Sequence, residues 1–140
     1  MIKYTALPEN IERLLPKAEA YLRSKSDVAF AYLFGSLAKG RPKPLSDVDI
    51  AVYLSEEADL IEKKMEILGK LIELLEIDEI DLVTLNSAPL TLRMKILETK
   101  KVIVDNVPFL RHRYESLPMR EYFDFSIKEM AILERRFLHG

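Results

Sequence analysis

The chain has 140 residues, of which 49% are hydrophobic and 31% charged, a balance typical of one globular domain. Its formal net charge of -2 gives no general attraction for nucleic acid or anionic membranes, so an anionic ligand needs a local site. The absence of cysteine and the presence of only 2 histidines exclude disulfides, thiolate nucleophiles and cysteine- or histidine-rich metal sites. No apolar run approaches the roughly 20 residues of a membrane span, and the N-terminus does not resemble a signal peptide. We therefore expect a cytoplasmic protein.

The first third of the chain predicts a helix followed by two strands. Apolar residues recur at helical spacing from about residue 9 to residue 24, and Pro16 is expected to kink or restart this helix. The continuous apolar run Val28–Phe34 is typical of a strand covered on both faces. After a proline-containing loop at Gly40–Ser46, the residues Asp47–Leu54 alternate in character and predict a second strand. Because the connection is short, the two strands are expected to pair antiparallel or to enclose one helical turn.

A long amphipathic helix is predicted after the second strand. Ser55 is a suitable N-cap, and the acidic residues that follow it suit the positive end of a helix dipole. Apolar residues recur at intervals of four and three, so one side of the helix is expected to be buried. These residues are Ile61, Met65, Leu68, Ile72 and Leu75.

The rest of the chain continues the alternation of strands and helices. This alternation predicts an α/β (α+β) fold with a small mixed sheet, whose helices pack mainly on one side. We expect a single domain over residues 1–140, in which residues 107–140 form a C-terminal helical segment. The elements expected here are a strand at Glu79–Asn86, a short helix from Pro89 to about Thr99, a strand at Lys101–Asp105, and helix from about Val107, interrupted near Pro118.

Three aspartates lie where two predicted strands begin. Asp47 and Asp49 point to the same face, about 7 Å apart along their strand, because side chains on a strand alternate. Neighbouring carboxylates repel each other unless a cation lies between them, and hard divalent ions such as Mg²⁺ prefer such oxygen ligands. Asp81 joins the pair if its strand is a neighbour. Three carboxylates around two metal ions are typical of phosphoryl or nucleotidyl transfer.

A Gly-Ser turn opposite these acids predicts a phosphate site. Gly35 lets the backbone approach a bulky anion, and Ser36 offers a hydroxyl and, at the start of a helical turn, a free N–H group. Lys39, Arg41 and Lys43 follow in the loop and are candidates to neutralise a triphosphate, and the sequence does not select between them. Each feature alone is common in loops and turns. The prediction rests on their combination.

This combination resembles a known family. The motif GS-x10-D-x-D (Gly35, Ser36, Asp47 and Asp49), followed by Asp81 in "IDLVTLN", is similar to the minimal nucleotidyltransferases of the DNA polymerase β superfamily. The resemblance covers most of the chain and implies a polymerase β-like fold with a nucleoside triphosphate and two Mg²⁺ ions in a cleft. It implies that the three aspartates bind metal, that Asp81 also helps to deprotonate the acceptor hydroxyl, and that the Gly-Ser pair holds the triphosphate. The implied reaction is attack of that hydroxyl on the α-phosphate with loss of pyrophosphate.

The resemblance also suggests an acceptor and a partner. Small stand-alone members of this family resemble antitoxins that transfer AMP from ATP to a tyrosine of an HEPN-domain ribonuclease toxin. The toxin's signature, an arginine and a later histidine with four to six residues between them, is absent here, so an HEPN partner would be a separate chain. The alternatives are a transferase that modifies a small molecule such as an aminoglycoside, and a non-catalytic binding antitoxin. A polymerase role is disfavoured because the chain lacks room for template-binding domains and lacks a basic surface.

The C-terminal segment carries an apolar stripe. Packing of this stripe on the domain's own sheet is the favoured interpretation, and docking of another protein is the alternative. Tyr114 and Tyr122 lie in the same segment, and nothing in the sequence distinguishes them from ordinary core tyrosines. The stripe consists of Met119, Phe123, Ile127, Met130, Leu133 and Phe137, widened by Tyr122, Phe125 and Ile132.

Overall fold

The structure is a computed structural model that describes residues 11–40 and 48–137. The described elements alternate as the sequence predicts. The helices are α1 (Ile11–Ser24), α2 (Gly35–Ala38), α3 (Leu60–Leu75), α4 (Leu90–Thr99) and α5 (Pro108–Phe137); the strands are β1 (Val28–Phe34), β2 (Val48–Leu54), β3 (Ile80–Thr84) and β4 (Lys101–Asp105); and Leu85–Ser87 forms a 3-10 turn.

The four described strands form one mixed sheet in the order β3-β2-β1-β4. Strand β1 pairs antiparallel with both β2 and β4, whereas β2 and β3 are parallel. The mixed sheet is therefore confirmed. Both alternatives expected for the short connection from β1 to β2 occur together. The connection encloses the helical turn α2, and the two strands pair antiparallel.

Helices cover both faces of the sheet, so the expectation that they pack mainly on one side is wrong. Helices α1 and α3 cover one face, here called the aliphatic face, with fully buried side chains such as Leu22, Ile50 and Leu71. Helix α4 and the first part of α5 cover the other, here called the aromatic face, which is built around Phe30 and Tyr114. Because every residue of β1 is buried, neither face of the central strand can be left to solvent.

Helix α3 begins later than predicted, and its buried side coincides only in part with the predicted stripe, of which Leu75 is buried and Leu68 packs against the core. It starts at Leu60, after Asp59 in the left-handed region (φ 58), so Ser55 is not its N-cap. The backbone N–H and the hydroxyl of Ser55 instead donate to the carbonyl of Asp27, at 2.8 and 3.2 Å. Of the predicted stripe, Ile61 and Met65 are 81% and 60% exposed. The buried residues are Ile67, Leu71 and Leu75.

This difference in α3 has a simple physical origin. The helix carries more apolar residues than one strip of sheet can cover, so two overlapping stripes compete for burial. Contact with α1 and β3 selects the stripe that contains Ile67 and Leu71. The periodicity predicted the helix, but not which of the two stripes would face the core.

Two internal prolines do not divide their helices. Helix α1 continues through Pro16, so the helix does not restart there, and α5 runs from Pro108 to Phe137 without the interruption expected near Pro118. In α1, Leu14, Ala18 and Leu22 are buried on either side of the proline. Their packing outweighs the loss of one backbone hydrogen bond.

The first part of α5 is fixed to the aromatic face by a polar network. Tyr32 donates its hydroxyl to Glu115 at 2.9 Å, and Glu115 also forms an ion pair with Arg111 at 2.9 Å. Arg111 in turn contacts Asp105 at 3.0 Å. Burial raises the pKa of Tyr32, and the hydrogen bond to Glu115 raises it further. Burial alone would raise the pKa of Glu115, but hydrogen bonds from Arg111 and Tyr32 and the nearby charges lower it below its usual value.

The later part of α5 does not pack on the sheet where the structure describes its side chains. Ile127, Met130, Ile132 and Leu133 are 50% to 61% exposed, so the favoured interpretation of the apolar stripe is wrong for these residues. Among the described residues, no helix is both long and apolar enough to cross a membrane. The side chains of the remaining stripe residues, namely Met119, Tyr122, Phe123, Phe125 and Phe137, lie outside the described residues.

Candidate functional site

Two of the three predicted aspartates lie side by side. Asp49 on β2 is the direct partner of Asp81 on β3 in the parallel register, and neighbouring strands are about 4.8 Å apart. Asp49 is half-buried and Asp81 is exposed. The sequence made this pairing conditional on the two strands being neighbours, and the sheet order meets that condition. Asp47 lies outside the described residues.

The Gly-Ser turn lies against the same acids. Phe34, the last residue of β1, pairs with Asp49, so Gly35 follows at the edge of the sheet where β2 begins. Gly35 has a φ of +74°, and a Cβ built on it would overlap Oδ2 of Asp49. Glycine suits this position because most residues adopt the left-handed backbone only at a cost, and an added Cβ would also displace the Asp49 carboxylate.

A hydrogen bond from Gly35 shows how the turn is held. Its N–H donates to Oγ1 of Thr99, at the end of α4, over 3.1 Å. The Thr99 hydroxyl lies 3.5 Å from the carbonyl oxygen of Lys95 and donates to it. The N–H of Gly35 is thus engaged within the protein. Ser36, which lies in the same cleft, is the residue of the pair best placed to contact an anion.

These residues line one cleft of about 500 Å³, within the size range of small-ligand sites. The cleft brings together five of the residues predicted from the sequence, with two carboxylates and one lysine among them. Arg41, the other predicted nucleotide-binding residue, and Lys43 lie outside the described residues. The predicted residues in the cleft are Gly35, Ser36, Lys39, Asp49 and Asp81, and Phe34, Leu92, Lys95 and Thr99 complete the lining.

A second, larger cavity lies between α4 and α5. It measures about 650 Å³ and is lined mainly by α4 together with Lys100 and Glu115. It contains neither the paired aspartates nor the Gly-Ser turn, and Glu115 is already engaged with Arg111 and Tyr32. The smaller cleft is therefore the candidate functional site.

The sequence did not identify the contribution of helix α4. Lys95 and Thr99 lie in the cleft because α4 packs on the aromatic face, and Asp49 shares this face with Ala51 and Tyr53 by strand alternation. Nothing in the sequence distinguishes Lys95 from the other lysines. Within the part of the chain that the structure describes, neither Lys39 nor Lys95 forms an ion pair. Both ammonium groups are exposed at the cleft.

The donor set fits a hard divalent cation. Asp49 and Asp81 present carboxylates from adjacent positions at an open cleft, and oxygen donors of this kind are what Mg²⁺ prefers. Among residues 11–40 and 48–137, no group of three or more acidic or histidine side chains is placed to hold a metal ion. The third predicted ligand, Asp47, directly precedes the first described residue of β2.

The family model for polymerase beta nucleotidyltransferases matches residues 16–108. The chain belongs to this family. The match extends from α1 to the start of α5 and includes the Gly-Ser turn, the aspartates and α4. The nucleotidyltransferase predicted from the motif is thus confirmed at the level of the family. No curated protein matches the chain.

Solved structures with a similar fold come from toxin–antitoxin complexes. A chain of a toxin–antitoxin complex crystallised with AMP-PNP is 25% identical over 88% of this chain and 95% of its own length, with a TM-score of 0.66. A chain of a mutant MntA toxin–antitoxin complex is 28% identical over 91% of this chain and 96% of its own, with a TM-score of 0.62. These similarities confirm the polymerase β-like nucleotidyltransferase fold and the resemblance to chains of toxin–antitoxin complexes.

A third structure shows the fold at lower identity. It is the complex of a tri-AMPylated Shewanella oneidensis HEPN toxin with an MNT antitoxin, in which one chain is 23% identical to this one. The similarity covers 89% of this chain and 93% of that one, with a TM-score of 0.61.

Proposed function

We propose that the protein transfers AMP from ATP to a hydroxyl group, most simply a tyrosine, of an HEPN-domain ribonuclease toxin and so acts as its antitoxin in the cytoplasm. The observation that carries this proposal is the pairing of Asp49 with Asp81 beside the Gly35–Ser36 turn in one cleft. Carboxylates and a phosphate-binding turn that line the same cleft are what nucleotidyl transfer requires.

The acids have distinct roles in this proposal. Asp47 and Asp49 hold metal, and Asp81 holds metal and accepts the proton of the attacking hydroxyl. When bound, two Mg²⁺ ions would supply charge neutralisation at the triphosphate and polarise the α-phosphate. Asp49 and Asp81 lie on paired strands of the sheet, so their backbone positions are set before substrate arrives.

The other residues of the cleft hold the nucleotide. Ser36 donates its hydroxyl to a phosphate oxygen, and Lys39, Arg41 and Lys95 balance the negative charge of the triphosphate. The acceptor oxygen attacks the α-phosphorus and forms a new P–O bond. The bond from the α-phosphorus to the bridging oxygen breaks, and pyrophosphate leaves with that electron pair. The mechanism consists of positioning and electrostatic stabilisation, without a covalent enzyme intermediate.

A protein acceptor is supported by the structural neighbours and by the chain itself. Neighbours at 25% and 28% identity come from toxin–antitoxin complexes, one of them with an ATP analogue. The exposed apolar residues in the later part of α5, Ile127, Met130, Ile132 and Leu133, give this chain a surface of the kind that binds another protein.

The test combines the purified protein with ATP, Mg²⁺ and an HEPN-domain protein encoded beside it, and measures both chains by intact mass spectrometry. We expect mass to be added to the partner in steps of one AMP, and no addition with the double variant Asp49→Ala/Asp81→Ala. A tight, silencing complex without added mass would instead identify a non-catalytic binding antitoxin.

A further inference from the structure

A groove runs along the open edge of the sheet. Among the strands that the structure describes, β3 lies at the edge and pairs only with β2. Beside it lies a groove of about 350 Å³, formed by β3 itself, by Leu60, Ile61 and Lys64 from α3, and by Pro89 and Leu92 at the start of α4.

This groove is continuous with the catalytic cleft, because Asp81 and Leu92 line both. The order of the strands places the parts of the site in sequence across the sheet. The Gly-Ser turn follows β1, Asp49 lies on β2, and Asp81 lies on β3 with the groove beyond it. The groove therefore begins where the phosphate-binding part of the site ends.

The chemistry of the proposed transfer requires a substrate on this side. In an in-line displacement, the attacking and leaving oxygens lie on opposite sides of the phosphorus. The turn at Gly35 and Ser36 holds the phosphates that leave, so the acceptor hydroxyl must arrive from the side of Asp81. The groove is the surface that continues from the cleft in that direction.

The edge of β3 also indicates what the groove binds. An edge strand presents unpaired N–H and C=O groups, and an extended peptide satisfies them by adding a strand to the sheet. The lining mixes apolar side chains with polar ones such as Lys64 and Ser87, and one of the apolar residues, Ile61, is 81% exposed although it is a large aliphatic residue. A small polar acceptor would leave both the strand edge and Ile61 uncovered.

We propose that this groove binds an extended segment of the partner protein, laid along β3, and that this segment carries the hydroxyl that receives AMP. The proposal rests on the proposed function, since it requires a protein acceptor. It adds where the acceptor segment lies and which side chains recognise it. Ile61 contacts the segment and is a specificity residue, not a catalytic one.

The first test compares Ile61→Asp with Phe109→Asp, a matched control. Phe109 is a large apolar residue that is 77% exposed at the start of α5 and does not line the groove or the cleft. We expect Ile61→Asp to raise the KM for the partner about 10-fold or more, because it removes one buried apolar contact. The kcat at saturating partner and the affinity for AMP-PNP are expected to stay within twofold. Phe109→Asp is expected to change none of these quantities.

The outcomes separate the two proposals. A wild-type protein that adds no AMP to the partner contradicts the proposed function. If the wild type transfers AMP and Ile61→Asp transfers it equally well, the proposed binding of the segment in the groove is wrong. The same conclusion follows if Ile61→Asp and Phe109→Asp impair transfer equally. In both cases the proposed function stands.

A second measurement does not depend on the rate of transfer. A photoreactive benzoylphenylalanine replaces Ile61 in one preparation and Phe109 in another, each is irradiated with the partner, and the crosslinked peptide is sequenced. From position 61, we expect the crosslink to fall within a few residues of the modified hydroxyl. A crosslink from position 61 to any other region of the partner, or none, would overturn the proposal.

Discussion

The two faces of the sheet have different compositions and different uses. The aliphatic face packs leucine, isoleucine and valine side chains between the sheet and helices α1 and α3. The aromatic face stacks Phe30 on Tyr53 at 5.0 Å and Tyr53 against Tyr114 at 5.3 Å. Asp49 extends this second face by strand alternation, and α4, which covers it, adds Lys95 and Thr99 to the cleft. One face therefore supplies stability, whereas the other also carries residues of the proposed site.

The two faces should therefore respond differently to substitution. Substitutions on the aliphatic face should change stability and leave transfer by the folded protein intact. Substitutions at the cleft end of the aromatic face should change transfer and leave most of the stability intact. The predictions below follow in order of expected effect.

The largest effect is expected for Asp49→Asn, which removes a carboxylate but keeps the size of the side chain. We expect AMP transfer to fall at least about 100-fold, because the site loses a charge that holds metal at the reacting phosphate. The melting temperature should change little, since Asp49 is only half-buried. Asp78→Asn, at an exposed position just before β3, is the matched control and should retain full transfer.

Leu71→Ala tests the aliphatic face. Leu71 is fully buried in α3, so its truncation should lower the free energy of unfolding by about 2–5 kcal/mol, as measured by urea denaturation. At a temperature where the variant is folded, its KM for ATP should equal that of the wild type. A changed KM would show that the two faces are coupled and would contradict the division of roles.

A comparison of Gly35→Ala with Gly40→Ala separates the effect of backbone strain from the effect of displacing a side chain in the cleft. Both glycines have positive φ, +74° and +70°, so each substitution should cost about 1–2 kcal/mol in unfolding free energy. At Gly40 nothing lies within 4 Å of the added Cβ, whereas at Gly35 the Cβ overlaps the Asp49 carboxylate. We therefore expect Gly35→Ala alone to reduce AMP transfer, by about 10-fold or more, which corresponds to about 1.4 kcal/mol. Equal transfer by both variants would contradict the close contact.

Thr99→Val tests whether α4 positions the Gly-Ser turn. Loss of the hydrogen bond from the Gly35 N–H should cost about 1 kcal/mol and raise the KM for ATP severalfold, because the turn loses its fixed position. Thr99→Ser keeps the hydroxyl and should behave like the wild type in steady-state kinetics. If the serine variant is as impaired as the valine variant, the hydroxyl is not what positions the turn.

The smallest effect concerns pH and the network that fixes α5. The folded protein lowers the pKa of Glu115 below its usual value of about 4.5, so the ionised side chain stabilises the fold above that pH. This contribution is lost as the pH falls through the lowered pKa. Glu115→Gln should therefore be less stable than the wild type by about 1 kcal/mol at pH 7. The difference should shrink in thermal melts below about pH 4.5, whereas Glu98→Gln, at an exposed position, should show no such trend.

Local sequence patterns predicted much of the fold. The continuous apolar run gave both ends of β1 correctly, and the short apolar run at Lys101–Asp105 did the same for β4. Elsewhere the pattern predicted an element but not its packing. In α3 it could not choose between two apolar stripes, and in α1 it overestimated the effect of Pro16.

The sequence by itself determined which chemistry is present. A glycine that tolerates positive φ, a serine after it, and aspartates where strands begin are recognisable because each requirement is local to a few residues. Only the tertiary structure decided which groups meet. Asp49 faces Asp81 because β2 and β3 are parallel neighbours, and Thr99 holds Gly35 although 64 residues separate them. Such contacts follow from the order of the strands and the packing of the helices. Both depend on the whole chain, so no short sequence segment predicts them.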